Sequence, residues 1–320
     1  MPAALSAGMM EAMTTDSYSA TARDFYDAAR PHTWANAFAP VIAGTGAAAF
    51  FGSAHLGRAA LALIVSWALI VGVNYANDYS DGIRGTDDER TGPTRLTASG
   101  LAAPEHVKAA AFIAFFVAAV AGIILALMSA WWLIVLGAVC IAAAWFYTGG
   151  SNPYGYQGLG EIAVFIFFGL VAVMGTEFSQ AGRVSVVGFL CAVAVGSISA
   201  AVNLANNIRD IPTDTVARKN TLAVRLGDAK SRRLFAALTM LPFALTIVLA
   251  FMYLPTLAAL LALPLALESV LKVVRGAQGP ALIPVLGLNG KAMLVWSVAT
   301  AIALFVGGSM WNGGIYYPLA

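Results

Sequence analysis

The chain has 320 residues, 60% of them hydrophobic and only 11% charged. Its net charge is +2 and its mean hydropathy +0.79. A soluble domain carries about 25% charged residues, so soluble-enzyme, disordered, collagen-like and disulfide-rich classes are excluded. The near-neutral balance gives no case for nucleic acid, because basic residues sit beside acidic ones in short loops. Cys140 and Cys191 fall inside apolar runs and read as small buried residues.

Residues 1–29 are expected to form a mobile cytoplasmic tail, since they carry Glu11 and Asp16 and lack the basic start and apolar run of a signal peptide. Residues 30–320 are expected to form one transmembrane domain. A helix needs about 20 residues to cross a hydrocarbon core. Stretches of about that length or more, free of Asp, Glu, Lys and Arg, follow Arg30, Arg58, Lys108, Arg183, Arg233 and Lys291. The stretches after Lys108 and Arg233 are long enough for two spans each. The pattern predicts an all-α polytopic membrane protein with nine transmembrane helices, at 32–51, 58–77, 106–128, 131–147, 159–177, 185–208, 232–252, 255–273 and 290–310. Lipid offers no partners for open backbone groups, which leaves helices as the spanning form.

With the N-terminus in the cytoplasm, 16 of the 18 Lys and Arg residues fall on the cytoplasmic side, and only Arg58 and Arg183 lie outside. That asymmetry predicts a cell-membrane protein with N-terminus and active site cytoplasmic and C-terminus outside. An internal echo supports the count. Asn74, Asn77 and Asp81 reappear as Asn203, Asn206 and Asp210 at a constant offset, each set closing a helix on the cytoplasmic side. Duplicated four-helix units plus one further helix account for it.

The chemistry is expected at these two helix ends. Asn74, Asp78 and Asp81 share one helical face, and Asn203, Asn206, Asp210 and Asp214 repeat the arrangement. Carboxylates starting within a turn of an apolar core are costly unless neutralised, and a divalent cation would neutralise them. Mg²⁺ takes one or two carboxylates plus substrate phosphates. The two clusters, with Arg84, Arg209, Arg218 and Lys219 nearby, form a candidate receptor for a Mg²⁺-bridged diphosphate. Asp88, Glu89, Glu105 and Asp228 read instead as solvated loop charges. Tyr147, Trp131 and Trp132 read as interfacial anchors, and Glu268 with Lys272 as an i,i+4 pair.

Asn77-Asp78-x-x-Asp81, paired with Asp210-x-x-x-Asp214 and followed by Lys219-Asn220-Thr221-Leu222-Ala223, resembles the UbiA superfamily of membrane aromatic prenyltransferases. The resemblance runs from about Arg30 across most of the chain. Arg30-Pro31-x-Thr33, Ala39-Pro40-Val41, Tyr147-Thr148-Gly149-Gly150 and Gly158-Leu159-Gly160-Glu161 resemble its menaquinone-biosynthesis branch. The ubiquinone-type pattern would place an acid at position 85, where this chain has Gly85 followed by Asp87. The resemblance implies Mg²⁺-dependent transfer of a long polyprenyl group from its diphosphate to 1,4-dihydroxy-2-naphthoate, with loss of CO₂, within the lipid bilayer. It implies Asp78, Asp81, Asp87, Asp210 and Asp214 as metal ligands, and Asn77, Arg84, Asn206, Arg209, Arg218 and Lys219 as diphosphate groups. Asn152, Tyr154, Tyr156 and Glu161, in and after the uncharged loop, are the candidates for ring binding.

Three other readings compete. A superfamily relative could use another aromatic acceptor, such as 4-hydroxybenzoate. A secondary transporter also fits repeats and membrane acids, although its site belongs near the bilayer midplane. A CDP-alcohol phosphotransferase shares Asp78-x-x-Asp81-Gly82, but its signature continues with an Ala-Arg and two further acids, whereas this chain reads Ile83-Arg84-Gly85-Thr86-Asp87 and places the partner acids 129 residues away on another helix.

Overall fold

A computed structural model describes residues 18–85 and 95–312 of the chain. The described residues form an all-helical bundle. Seven helices are long and apolar enough to cross a membrane: α3 (Leu56–Gly82), α4 (Pro104–Met128), α6 (Gly160–Ala181), α7 (Val186–Arg209), α10 (Asp228–Met252), α11 (Leu254–Val274) and the C-terminal helix α12 (Ile283–Asn312). Two more, α2 (Ala35–Phe50) and α5 (Leu133–Phe146), are apolar but shorter. All nine overlap the segments expected from the charge pattern. Short helices α1 (Ala22–Ala28), α8 (Ile211–Val216) and α9 (Leu222–Leu226) lie outside them.

The expected tail at 1–29 lies partly outside the described residues. Within it, α1 is closed by a reciprocal capping box between Thr21 and Asp24. Tyr75 of α3 donates its hydroxyl to the Phe25 carbonyl at 2.8 Å, and Ala28 and Ala29 are buried. Residues 22–29 therefore dock on the bundle.

At the centre stands α7, with 72% of its apolar window buried. Small residues let its neighbours approach closely, as in membrane bundles generally. A Cβ on Gly169 of α6 would lie 2.5 Å from the Gly196 Cα of α7, so both helices need glycine at that crossing. The middle of α6, Phe165–Met174, is widened into π-helix. Polar side chains join helices inside the core: Trp296 donates its indole N–H to Thr246 Oγ1 at 2.8 Å. A larger apolar core surrounds α7 with α2 and α10 to α12, and a smaller one joins α1, α3 and α4.

One boundary differs from the sequence reading in a way that matters, and a second agrees with it to within a residue. The α3 helix runs five residues past the expected 77, so Asp78 and Asp81 are helical and buried. The α7 helix stops at Arg209, because Pro212 removes a backbone donor and Asp210 leaves helical geometry. Asp214 nevertheless donates its N–H to the Asp210 carbonyl at 2.8 Å, so the turn carries the second aspartate onward.

Candidate active site

The ends of α3 and α7 meet at one end of the bundle. Asp78, Asp81, Asp210 and Asp214 are 1%, 4%, 4% and 8% exposed, a level of burial that carboxylates reach only with partners. Lys219, five residues beyond Asp214, brings its Nζ to 3.5 Å from Asp81 Oδ1. The first aspartate motif is thereby tied to the second. Arg218 adopts φ 55°, a left-handed conformation that a non-glycine residue rarely takes. That turn lets the Lys219 N–H reach back to the Asp214 carbonyl at 2.8 Å while its side chain crosses to Asp81.

Tyr156 completes the junction. Its hydroxyl donates to Asp81 Oδ1, and Lys219 Nζ stands 4.5 Å from its ring centroid. The Asn220 N–H bonds the Tyr156 carbonyl at 2.9 Å, which fixes the 147–160 loop against the second motif.

The other aspartates are held differently. Asp78 accepts the backbone N–H groups of Leu96 and Thr97 at 3.0 and 2.9 Å, so both its oxygens hold the turn after the undescribed stretch. That turn sets Arg95 4.0 Å from Asp81 Oδ2. Asp210 receives Arg209 Nε and Nη2 at 2.6 and 2.8 Å. Asp214 Oδ2 accepts the Thr221 hydroxyl at 3.4 Å. Asp87 lies outside the described residues.

Of the expected diphosphate groups, Lys219 and Arg209 are buried beside the carboxylates, and Arg218 is exposed. Arg84 donates to the carbonyls of Thr148 and Gly150, which fastens the end of α3 to the loop after α5. Asn77 Oδ1 accepts the Thr148 hydroxyl at 2.8 Å.

Below this polar junction lies a cavity of about 420 Å³. Asn74, Asn77, Asn203, Asn206 and Tyr147 are among its polar lining, and apolar side chains, mostly of α3 to α6, make up the larger part. Tyr154 also lines it, donating its hydroxyl to the Ala143 carbonyl at 2.8 Å. Burial pushes the Tyr154 phenol up to about 12, so it stays a donor at neutral pH. Asn152 is exposed and accepts from Gln157, away from the cavity. Glu161 is buried at the start of α6 and accepts from Asn207 at 2.7 Å.

Sequence reasoning missed Arg95, whose loop position carried no signal, and the roles of Asn203 and Tyr147. Tyr147, expected at the interface, donates its hydroxyl to Asn203 Oδ1 at 3.4 Å and faces the cavity. A polar residue repeated inside an apolar helix was the available sign for Asn203.

Among the described residues no three Asp, Glu, His or Cys side chains stand close enough to enclose an ion by themselves. The donors at the junction are nevertheless all oxygen, without His or Cys. That suits Mg²⁺, which takes few protein carboxylates and fills its shell with phosphate and water.

Buried carboxylates beside basic side chains, one helical turn from an apolar cavity in a membrane bundle, are the features of an enzyme acting on an amphiphile with a charged head. The chain belongs to the UbiA prenyltransferase family, which it matches over residues 37–297, and it is a multi-pass membrane prenyltransferase. It is 56% identical over 282 residues to 1,4-dihydroxy-2-naphthoate octaprenyltransferase of Mycobacterium leprae, covering 88% of this chain and 96% of that one. The protein of the same name from Mycobacterium tuberculosis is 57% identical over 279 residues, covering 87% and 96%. The fold resembles that of a UbiA homolog from Archaeoglobus fulgidus bound to GPP and Mg²⁺. The TM-score is 0.63 at 13% identity, over 88% of this chain and 99% of that one.

Proposed function

We propose that this enzyme transfers a polyprenyl group from a long-chain polyprenyl diphosphate to 1,4-dihydroxy-2-naphthoate, releasing diphosphate and CO₂ and giving demethylmenaquinol, the quinol form of demethylmenaquinone. The observation that carries the reading is the Asp81–Lys219 junction, one helical turn beyond Asn77, which lines a largely apolar cavity. The name shared by its mycobacterial relatives supports the choice of acceptor.

Asp81, Asp210 and Asp214 are the residues that would hold Mg²⁺, with Asp87 as a further candidate. When bound, the ion supplies Lewis-acid neutralisation of charge on the departing diphosphate. Lys219, Arg95, Arg209 and Arg218 add fixed positive charge at the same place, where it stabilises an anion that forms only as the C–O bond breaks. Asp78 serves by holding the turn that carries Arg95. The apolar walls take the isoprenoid tail and keep water from the allylic cation. The electron-rich ring attacks C1 of that cation at the carbon bearing the carboxyl group. CO₂ then leaves, its bonding pair returns to the ring, and aromaticity is restored without a covalent enzyme intermediate.

The topology belongs to the same proposal. The shorter α2 and α5 complete nine crossings of the cell membrane, with N-terminus and active site cytoplasmic and C-terminus outside.

The test is to supply membranes containing the protein with Mg²⁺, a polyprenyl diphosphate and several aromatic acids, following CO₂ and prenylated product together. Release of CO₂ in step with prenylated naphthalenediol supports the reading. Prenylation of 4-hydroxybenzoate in its place, with no CO₂, overturns the acceptor.

A further inference from the structure

Two polar atoms beside the cavity are buried without a hydrogen-bond partner, and they are chemically complementary. Glu161 is 4% exposed; its Oε1 accepts from Asn207, and its Oε2 is fully enclosed and unpartnered. Asn203 lies four residues before Asn207, on the same face of α7. Its Oδ1 accepts from Tyr147, and its Nδ2 is fully enclosed and unpartnered. Gly160 presses the start of α6 onto both groups. A Cβ there would lie 2.9 Å from the Tyr147 hydroxyl and 3.0 Å from Asn203 Nδ2. Tyr147 and Asn203 line the cavity. An unmet donor on the cavity wall and an unmet acceptor on Glu161, which is bonded to Asn207 one helical turn away, are unusual, because native interiors satisfy buried polar groups.

A hydroxyl group satisfies both at once: its oxygen accepts an N–H and its own proton goes to a carboxylate. The geometry points to Asn203 and Glu161 as the reader of one ring hydroxyl of the acceptor, with Tyr147 bonded to the amide. This rests on the aromatic-acceptor reading above and adds residues that decide which arenes are accepted. Asn203 Nδ2 donates to the phenolic oxygen, and Glu161 Oε2 accepts the phenolic O–H. That bond leaves electron density on the oxygen and makes the ring a better nucleophile. An arene without the hydroxyl leaves both enzyme groups buried and unmet, and such sites discriminate strongly.

The experiment uses the full-length protein in membranes, with 1,4-dihydroxy-2-naphthoate and its two analogues that each lack one hydroxyl. Wild type, Asn203→Leu and Glu161→Gln are compared, the last keeping shape while removing the acceptor atom. In wild type, loss of the read hydroxyl is expected to lower kcat/KM by about 100-fold or more. In both variants the parent acceptor falls to the level of that analogue, while KM for the polyprenyl diphosphate is unchanged. Full discrimination persisting in the variants, with only a lower melting temperature, would mean that a buried water fills the gap and overturns the inference. A rise in KM for the diphosphate alone overturns it too. A wild-type enzyme that ignores the naphthoate but prenylates another hydroxyarene sinks the acceptor assignment alone. The same hydroxyl deletion on that arene then decides the role of Asn203.

Discussion

Lys219 Nζ reaches Asp81 Oδ1 at 3.5 Å, joining side chains that are 138 positions apart in the chain. The contact explains why neither aspartate motif is a site by itself. Asp81 supplies the negative charge at the end of α3, and the turn after α8 returns a cation to it. Lys219→Met is expected to remove this cation from buried Asp81 while Tyr156 and Arg95 stay beside it. Prenyl transfer should fall by about 100-fold or more, the range seen when one group that stabilises developing anionic charge is lost. Steady-state product formation in membranes with matched protein levels measures it; retention of half the activity would contradict the assignment.

Chelation gives a second test. With EDTA in excess, turnover should cease and return on adding Mg²⁺. Asp210→Ala should lower activity by orders of magnitude while the protein still inserts. Activity unaffected by EDTA would remove Mg²⁺ from the proposal.

Asp78 gives a third test. Its carboxylate is spent on the amides of Leu96 and Thr97, so Asp78→Ala leaves two backbone donors unmet. A cost of about 1–3 kcal/mol per unmet buried group is expected. The predicted outcome for Asp78→Ala is a lower melting temperature in detergent together with lower activity. A melting temperature equal to that of the wild type would refute the role of Asp78 in holding the turn.

Gly137 lines the apolar part of the cavity, and a Cβ there meets nothing within 4 Å. Gly137→Phe should therefore be tolerated in folding but should shorten the prenyl chain that fits. Mass spectrometry of products from a mixture of chain lengths reads the change: short donors keep their rate, and long ones lose it. An unaltered product spectrum would place the tail elsewhere.

The N-terminal helix carries a pH signature. Hydrogen bonds from the Thr21 hydroxyl and backbone hold the Asp24 carboxyl below its ordinary value of 3.8. A depressed folded value means that its contribution is present above 3.8 and lost as pH falls through the lower folded value. Amide exchange of residues 22–28 should accelerate below that range and not near neutrality. Asp24→Asn should remove the acid dependence.

Much of this was legible in the chain. The 52-residue interval between Lys108 and Glu161 predicted two spans, and α4 and α5 fill it. The repeat placed Asp81 and Asp210 at corresponding helix ends, and their basic partner Lys219 followed in sequence. Arg84 carried a misleading signal. Its position beside Asp81 suggested diphosphate binding, but its guanidinium is committed to the carbonyls of Thr148 and Gly150.

Charge-free runs and their lengths determine by themselves that this is a helical membrane protein, because transfer of charge into hydrocarbon is costly at every position. The aspartate motifs likewise mark the reacting end, since their spacing sets them on one helical face whatever the helix packs against. Only the tertiary structure decided which oxygens are spent on backbone amides, that Tyr147 turns inward to Asn203, and that Glu161 and Asn203 each keep an open atom. Those outcomes depend on which side chains from distant segments arrive first at a given donor or acceptor, and on the close helix contacts that glycines such as Gly160 permit. Hydrogen bonding is short-ranged and directional, so a pattern along one strand of sequence carries no record of it.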